Sequence, residues 1–573
     1  MSPRACCCVA RVVGRVGGRR DAARMLTRLE IWNFKQFEAV EIELGNPVVF
    51  IGPNNSGKTT ALQALALWDL GMRRWRERNY KISDIAQSVG ILNRQDFSAG
   101  LVPDVGHLWH SGKAKEKPLI IALSGAEGEE AWRRSLLFEF ANQESFYCTL
   151  QDGGPGFLGV TKRSALISFA YLAPLSGLTD REFVKQPGEM QYLIGLGRTA
   201  EILRNICFQA FHLKVWDGVA QKMERLFGFK FRNPELIAER SEILLRYWGG
   251  AGGFWLDITS AGRGAQQVLL LLAFMAVNPN SVLLLDEPDA HLEILRQKEV
   301  YQLLTETAAE QGSQIIAASH SEVILNEAAQ KDVLVSFVGK PHRVDDRGTQ
   351  TLKALREIGF DQYQLAEITG WVLYLEGSTD LAILQSFART LEHPAVPFLE
   401  KPFVHYVGNQ PQKARDHFFG LREAKPNLTG LLICDKLSKE LQSSDQLVET
   451  MWQRNEIENY LCQPETLIAF AKAELNRSES ELAMQAAIED LIPPAALRDR
   501  EFAWWRTTKM SDDFLAPLFD RFYAAMGSAN LMQKSNYHRL APYVDRATVD
   551  SEVREKLDLV WSRALAANLG AVR

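Results

Sequence analysis

The sequence predicts an α/β chain with two separate sets of parallel strands. Short apolar runs of the buried-strand type, Pro47 to Ile51, Ser281 to Asp286 and Gln314 to Ala318, are separated by helical stretches in the first part of the chain. A second alternation of apolar runs and helical segments begins after Gly370. Most of these runs are followed at once by a glycine turn, a carboxylate or a Ser-His pair, and the C-terminal edge of a parallel sheet is where ligands collect.

Composition bounds the possibilities without choosing among them. The 573 residues give room for about three or four domains. The content of 46% hydrophobic and 24% charged residues is ordinary for a globular protein. With a net charge of -5, nothing global announces nucleic-acid binding, so a polyanion would have to be met by a local basic groove. The seven cysteines form no CxxC pair, which argues against a zinc site or a disulfide framework and fits a reducing cytoplasm. No apolar run approaches the roughly 18 residues of a membrane span, so no membrane partner is expected.

Residues 1–24 are basic and lack the apolar core of a secretion signal; they read as a disordered extension or a non-native start ahead of Met25. Leu26 to Leu44 alternates apolar and polar residues as strands do, and the buried run Pro47 to Ile51 follows. Gly52-Pro-Asn-Asn-Ser-Gly-Lys58-Thr59 then matches GxxxxGK[ST], with a helical pattern from Ala61 to Leu70. In that context Gly52, Asn55, Ser56, Gly57, Lys58, Thr59 and Thr60 form a phosphate cradle for ATP. Backbone N–H groups wrap the phosphates, Lys58 reaches the β and γ oxygens, and the Thr59 hydroxyl is offered to Mg²⁺. Downstream, Ser281 to Asp286 delivers Asp286 as a Mg²⁺ ligand through water, and Glu287 to polarise the attacking water. The run Gln314 to Ala318 leads to His320, placed to contact a γ-phosphate.

Between these elements, Ser260-Ala-Gly-Arg-Gly-Ala-Gln-Gln267 precedes the apolar stretch Val268 to Val277. A small hydroxyl and two glycines before a helix make a second anion-binding N-terminus. Here the chain resembles the ABC-type ATPases of the SMC and RecF group, whose signature motif sits just before the DExx strand and completes the partner subunit's nucleotide site. The resemblance assigns that role to Ser260, Gly262 and Gly264, and implies a head-to-head homodimer with ATP at the interface. Ala261 and Arg263 depart from the usual signature. The ATPase is thus expected over 25–160 and 251–369, interrupted by a helical insertion at 161–250. Within it, Arg198 to Phe229 carries apolar residues at helical spacing, as an internal packing module or a dimerisation arm would.

After Gly370 the order is Trp371 to Leu375, a helix from Leu381 to Leu391, Pro402 to Val407, a helix from Gln412 to Arg422, and Leu431 to Cys434. This βαβαβ order predicts a small parallel sheet over 370–470, followed by a mainly helical region at 471–573. Glu376 ends the first strand, Asp380 follows in the first helical turn, and Asp435 ends the last strand. Right-handed crossovers bring these carboxylates to one edge, where Mg²⁺ or Mn²⁺ is the natural counter-ion. Glu456 and Glu458, in Arg454-Asn-Glu-Ile-Glu-Asn-Tyr460, offer further ligands; if that segment is extended, only one of them faces the site, and Glu458 is favoured.

The arrangement resembles a Toprim domain. Its fusion to an SMC-like ATPase resembles the OLD (overcoming lysogenization defect) family of nucleases, from Met25 to nearly the end of the chain. The resemblance implies a metal-dependent endonuclease acting on DNA or RNA, a homodimer or higher oligomer, and a role in phage defence with a possible partner protein. It assigns the late lysine that neutralises the scissile phosphate to Lys534, with Arg506 and Lys509 as rivals. It also implies a DxD pair, but the chain has Asp435-Lys436-Leu437. The competing expectation is an ATP-dependent nucleic-acid clamp or sensor whose second half binds without cutting.

Overall fold

The computed structural model describes residues 24–571 apart from 80–88, 101, 128–129, 152–166, 177, 180, 250–253, 330, 345–357 and 476–478. The extension expected at 1–24 lies outside the described residues except for Arg24, which opens the first strand, Arg24–Phe34. The chain divides into two compact units, Met1–Asp346 and Arg347–Arg573.

Two six-stranded sheets build the first unit. The central sheet runs in the order His342–Arg343, Val333–Ser336, Val48–Ile51, Gln314–Ser319, Ser281–Asp286, Ser168–Leu172. It is parallel except for the His342–Arg343 edge. The other sheet is wholly antiparallel and contains Arg24–Phe34, Phe37–Glu43 and Leu119–Glu127. Between the sheets packs the helix Lys58–Asn79, through Leu62, Leu65 and Trp68. Strand alternation explains why Ser281–Asp286 reads as one apolar run: Val282 and Leu284 face this helix, whereas Leu283 and Leu285 face a second core built on the helix Arg263–Val277. A strand covered on both faces has no polar side to show.

The structure revises the insertion at 161–250. Ser168–Leu172 is not insertion but a strand of the central sheet, paired in parallel with Ser281–Asp286. Unlike the runs read as strands, it leads into Ala173-Pro174-Leu175 rather than into a glycine turn or a carboxylate, so no polar end marks it. The helices Leu203–His212 and Trp216–Phe227 do not form a projecting arm: Ile206, Cys207, Trp216 and Met223 pack in the same core as Arg263–Val277. Their apolar stripe finds its partner within the unit.

A four-stranded parallel sheet, in the order Val404–Tyr406, Trp371–Leu375, Thr429–Cys434, Leu447–Met451, organises the second unit. The helices Ser378–Thr390 and Pro411–Ala424 make the crossovers. The fourth strand escaped the sequence reading because Glu449 interrupts its apolar pattern. Arg415 offsets that buried charge by donating to both Glu449 oxygens at 2.6 Å. The helix Phe360–Thr369 belongs to this unit rather than to the ATPase half: it runs into strand Trp371–Leu375 through Gly370, whose φ of 71° suits glycine. Nor do 370–470 and 471–573 have separate cores, since Phe387, Leu431 and Tyr460 cluster with Phe514, Phe519 and Val560.

That shared core makes Phe387, which is 0% exposed, a test of the unit's integrity. Phe387→Ala is expected to destabilise the second unit by about 3–5 kcal/mol, read from urea unfolding of the full chain.

Candidate phosphate and carboxylate sites

In the first unit the fully buried strand Val48–Ile51 leads into a loop that glycine alone can form at two points. Gly52 has φ 153°, and a Cβ there would lie 2.9 Å from Ser56 Oγ. Gly57 has φ 107°, and a Cβ would lie 2.6 Å from the Phe37 ring. Asn55 takes the left-handed conformation between them, with φ 63°. The helix starts at Lys58, with Thr59 and Thr60 in its first turn. Lys58 is 6% exposed, and its ammonium donates to the Gly52 and Pro53 carbonyls at 2.6 and 2.9 Å. Burial lowers its pKa, while the charges of Glu287, Asp286 and Asp289 oppose that shift.

The Thr59 hydroxyl donates to Asp286 Oδ1 at 3.1 Å, and the Tyr171 hydroxyl to Oδ2 at 3.3 Å. Burial, joined by the charge of Glu287, pushes the Asp286 carboxyl up to about 6. Glu287 sits in left-handed backbone at φ 46°, a strained conformation of the kind that clusters at active sites. His320 Nδ1 lies 3.6 Å from Glu287 Oε1, beyond a hydrogen bond, and both side chains are open to solvent. Ser56 Oγ is buried without a hydrogen-bond partner among the described residues. That orphaned hydroxyl, the enclosed ammonium and the Thr59–Asp286 pair fit a phosphate chain with Mg²⁺. Tyr171 and Asp289 belong to this site too, and sequence reasoning missed both. Tyr171 sits on the strand Ser168–Leu172, inside the stretch whose sequence suggests an insertion.

Ser260 ends a short turn, Ile258–Ser260, and Gly262 caps the helix Arg263–Val277 with open space where a Cβ would stand. Gly264 allows close packing, because a Cβ would lie 2.9 Å from the His291 carbonyl oxygen. Gln266 is buried and donates to the Ala261 carbonyl at 2.8 Å, which ties the loop to the helix.

The second unit collects carboxylates at the C-terminal edge of its sheet. Asp380 Oδ2 accepts from the Glu376 amide at 3.1 Å, so the helix start and the strand end are pinned together. Asn409 follows strand Val404–Tyr406, at φ 55°, and its amide nitrogen donates to Glu376 and, at 3.1 Å, to Asp435. Its carbonyl oxygen accepts from the Asp435 amide at 3.0 Å. Burial, with the Glu376 carboxyl beside it, raises the Asp435 carboxyl far above the usual range. Burial, with Glu376 nearby, lifts Asp380 to about 6; burial, with Glu456 and Asp380 nearby, lifts Glu458 to about 8.

Glu456 and Glu458 correct the expectation of an extended segment. Ile457–Tyr460 is a helical turn, so the alternation of a strand does not apply and both glutamates are buried, at 3% and 6% exposure. Glu456 Oε2 accepts from the Ser511 hydroxyl at 3.0 Å, and Oε1 accepts from the Ser511 amide. Lys509 and Lys534 meet at Asp512, at 2.6 and 3.4 Å. Burial raises the Glu456 carboxyl as well; Lys534 opposes the shift at both glutamates, and Lys509 opposes it at Glu456. Arg506 instead pairs with Glu501 in solvent. The π-helical Met510–Leu515 turn that presents Ser511 and Asp512 carried no sequence signal, whereas Gly408-Asn409 after a strand is a readable turn.

Among the described residues no group of three or more His, Cys, Asp or Glu is disposed to hold a metal ion. Glu376, Asp380 and Asp435 meet through pairwise contacts. Their donors are oxygen only, the kind a hard cation takes. No helix among the described residues is long and apolar enough to cross a membrane.

Comparison with known proteins bears on the first unit. A family profile described as "AAA ATPase domain" matches residues 25–69, which include the Lys58 loop. Another, described as "AAA domain, putative AbiEii toxin, Type IV TA system", matches residues 249–326, which include Ser260, Asp286, Glu287 and His320. The phosphonates import ATP-binding protein PhnC 2 of Nostoc sp. strain PCC 7120 is 30% identical over 118 residues, 21% of this chain. The chain spans 46% of that relative's length. Among solved structures, an SMC head bound to the C-winged helix domain of ScpA is 16% identical with a TM-score of 0.35, over 56% of this chain and 97% of that one. A Pyrococcus furiosus SMC head with an extended coiled coil, bound to the C-terminal domain of ScpA, is 15% identical with a TM-score of 0.36, over 58% and 99%. The Thermotoga maritima SMC head domain is 15% identical with a TM-score of 0.32, over 56% and 98%. With its phosphate loop and both profile matches, the first unit is similar to ATP-binding domains of the AAA type.

Proposed function

We propose that this chain is an ATP hydrolase of the OLD type whose second unit is a Toprim-like, Mg²⁺- or Mn²⁺-dependent endonuclease on nucleic acid, DNA foremost, serving phage defence in the cytoplasm. The observation that carries the second half of this reading is the gathering of Glu376, Asp380 and Asp435 at one sheet edge, with Asn409 tying Glu376 to Asp435 and Glu458 within electrostatic reach of Asp380. Buried like charges at this density call for a divalent counter-ion.

In the first unit, Lys58 would exchange its loop carbonyls for the phosphates of bound ATP, and Thr59 and Asp286 would hold Mg²⁺. Glu287 orients the attacking water, while His320 beside it senses the γ-phosphate. Ser260, Gly262 and Gly264 present an exposed helix N-terminus to nucleotide on a second copy, which makes the working form a homodimer. In the second unit, Glu376, Asp380 and Asp435 hold the cation, and Glu458 supplies a further oxygen. A divalent ion held there would supply Lewis-acid polarisation of a phosphodiester and activation of water. Lys534, with Lys509 beside it, neutralises charge developing on the scissile phosphate. Glu456 acts mainly as a strut, since Ser511 occupies both its oxygens.

The clamp or sensor reading is favoured by one feature, Leu437, which stands half-buried where a DxD pair would place its second carboxylate. A large gain of cutting in Leu437→Asp would support that reading.

Lys58→Ala is expected to weaken nucleotide binding at least tenfold in a fluorescent-nucleotide titration. Glu287→Gln is expected to retain ATP and enrich the dimer in size-exclusion chromatography; an unchanged elution profile counts against the ATP-bridged dimer. Glu376→Ala is expected to abolish cutting of plasmid, linear DNA and RNA with Mg²⁺ or Mn²⁺ while ATP hydrolysis persists. If the wild type leaves all three intact with and without ATP, the nuclease assignment fails.

A further inference from the structure

The small antiparallel sheet of Lys230–Phe231, Arg246–Trp248 and Leu256–Asp257, in the first unit, separates its residues by face. Tyr247 stands opposite Phe231 on one side and Leu256 on the other, and Trp248 stands opposite Lys230. Tyr247 is 4% exposed and packs into the core with Phe229, Phe231 and Leu256. Alternation therefore turns Lys230, Arg246 and Trp248 to the other face. Arg232 and Trp255 extend that outer face: the Arg232 amide donates to the Arg246 carbonyl at 3.0 Å, and its guanidinium lies 4.6 Å over the Trp255 ring. Trp255 meets Trp248 edge to face at 5.9 Å. Trp248 is 36% exposed, and Phe254 beside Trp255 is 63% exposed.

The outer face thus sets two indoles among three cations, Lys230, Arg232 and Arg246. Asp257 is the acid within the sheet, and its carboxylate is committed to Arg204 and to the Thr259 amide. Glu224 lies 3.7 Å from Lys230, in an exposed pair that solvent screens. Aromatic faces interleaved with guanidinium and ammonium groups on an open sheet match the chemistry of unstacked bases joined by phosphates. A duplex hides its base faces, and a neutral apolar partner leaves the cations without counterparts.

We propose that this face binds single-stranded nucleic acid, with Trp248 and Trp255 stacking bases and Lys230, Arg232 and Arg246 holding the backbone. It is the local basic surface that an acidic chain needs for a polyanion partner, and it stands independently of the Glu376 site. The test is fluorescence anisotropy of the full chain with labelled oligo(dT) and oligo(rU), in EDTA so that cutting plays no part. Binding by the wild type is expected to weaken steeply with salt, and a duplex of equal length is expected to bind more weakly. Trp248→Ala and Trp255→Ala should each lower affinity by roughly fivefold or more, with Trp248→Phe retaining most of it. Arg232→Glu combined with Arg246→Glu should flatten the salt dependence while thermal unfolding stays as in the wild type. The proposal is overturned if the wild type binds neither oligonucleotide, if the duplex binds as tightly, or if the folded aromatic and charge variants bind like the wild type. A change of oligomeric state in those variants, with oligonucleotide binding intact, would also overturn it by making the face a protein interface.

Discussion

Both units obey one geometric constraint: parallel strands joined by right-handed crossovers present their C-terminal ends on a single edge. In the first unit that edge carries the Lys58 loop, Asp286 with Glu287, and His320, from strands Val48–Ile51, Ser281–Asp286 and Gln314–Ser319. In the second it carries Glu376, Asn409 and Asp435, from three adjacent strands. The buried bodies of the strands are what hold these short polar ends in place. Because the strands are covered on both faces, the sheet fixes the chemistry more firmly than the loops themselves do.

The two edges solve opposite electrostatic problems. At the nucleotide edge a buried ammonium is surrounded by Asp286, Glu287 and Asp289, so incoming phosphates meet a cation whose counter-charges are already placed. At the carboxylate edge the acids are in excess. Asn409 offsets part of the crowding by donating to Glu376 and Asp435 together. Lys509 and Lys534 are held apart from the deepest acids by Asp512, at the solvent-facing side. The result is a cluster of buried acids at the sheet edge, with Lys509 and Lys534 paired to Asp512 beside it.

Legibility in the sequence followed chemical locality. The phosphate loop and the strand ending in Asp286 are contiguous stretches whose composition declares both the strand and its polar end, and the first three strands of the second unit read the same way. What could not be read was supplied across the fold. Strand Leu447–Met451 is disguised by Glu449, whose partner Arg415 comes from a neighbouring helix. Asn409 matters only because two distant carboxylates reach it, and Ser511 only because a π-helical turn places it on Glu456. The Trp248 face rests on strands of two or three residues, too short to show a period, and emerges only once their register is known.

The claim on which the account turns is that the second unit's carboxylate edge takes a divalent cation. Mn²⁺ titration of the nucleotide-free full chain, followed by electron paramagnetic resonance, measures this directly. The account predicts that the wild type binds Mn²⁺ at a site lost in both Glu376→Ala and Asp435→Asn and kept in Asp286→Asn, with the variants folded as the wild type. Equal Mn²⁺ binding by the wild type, Glu376→Ala and Asp435→Asn would contradict it.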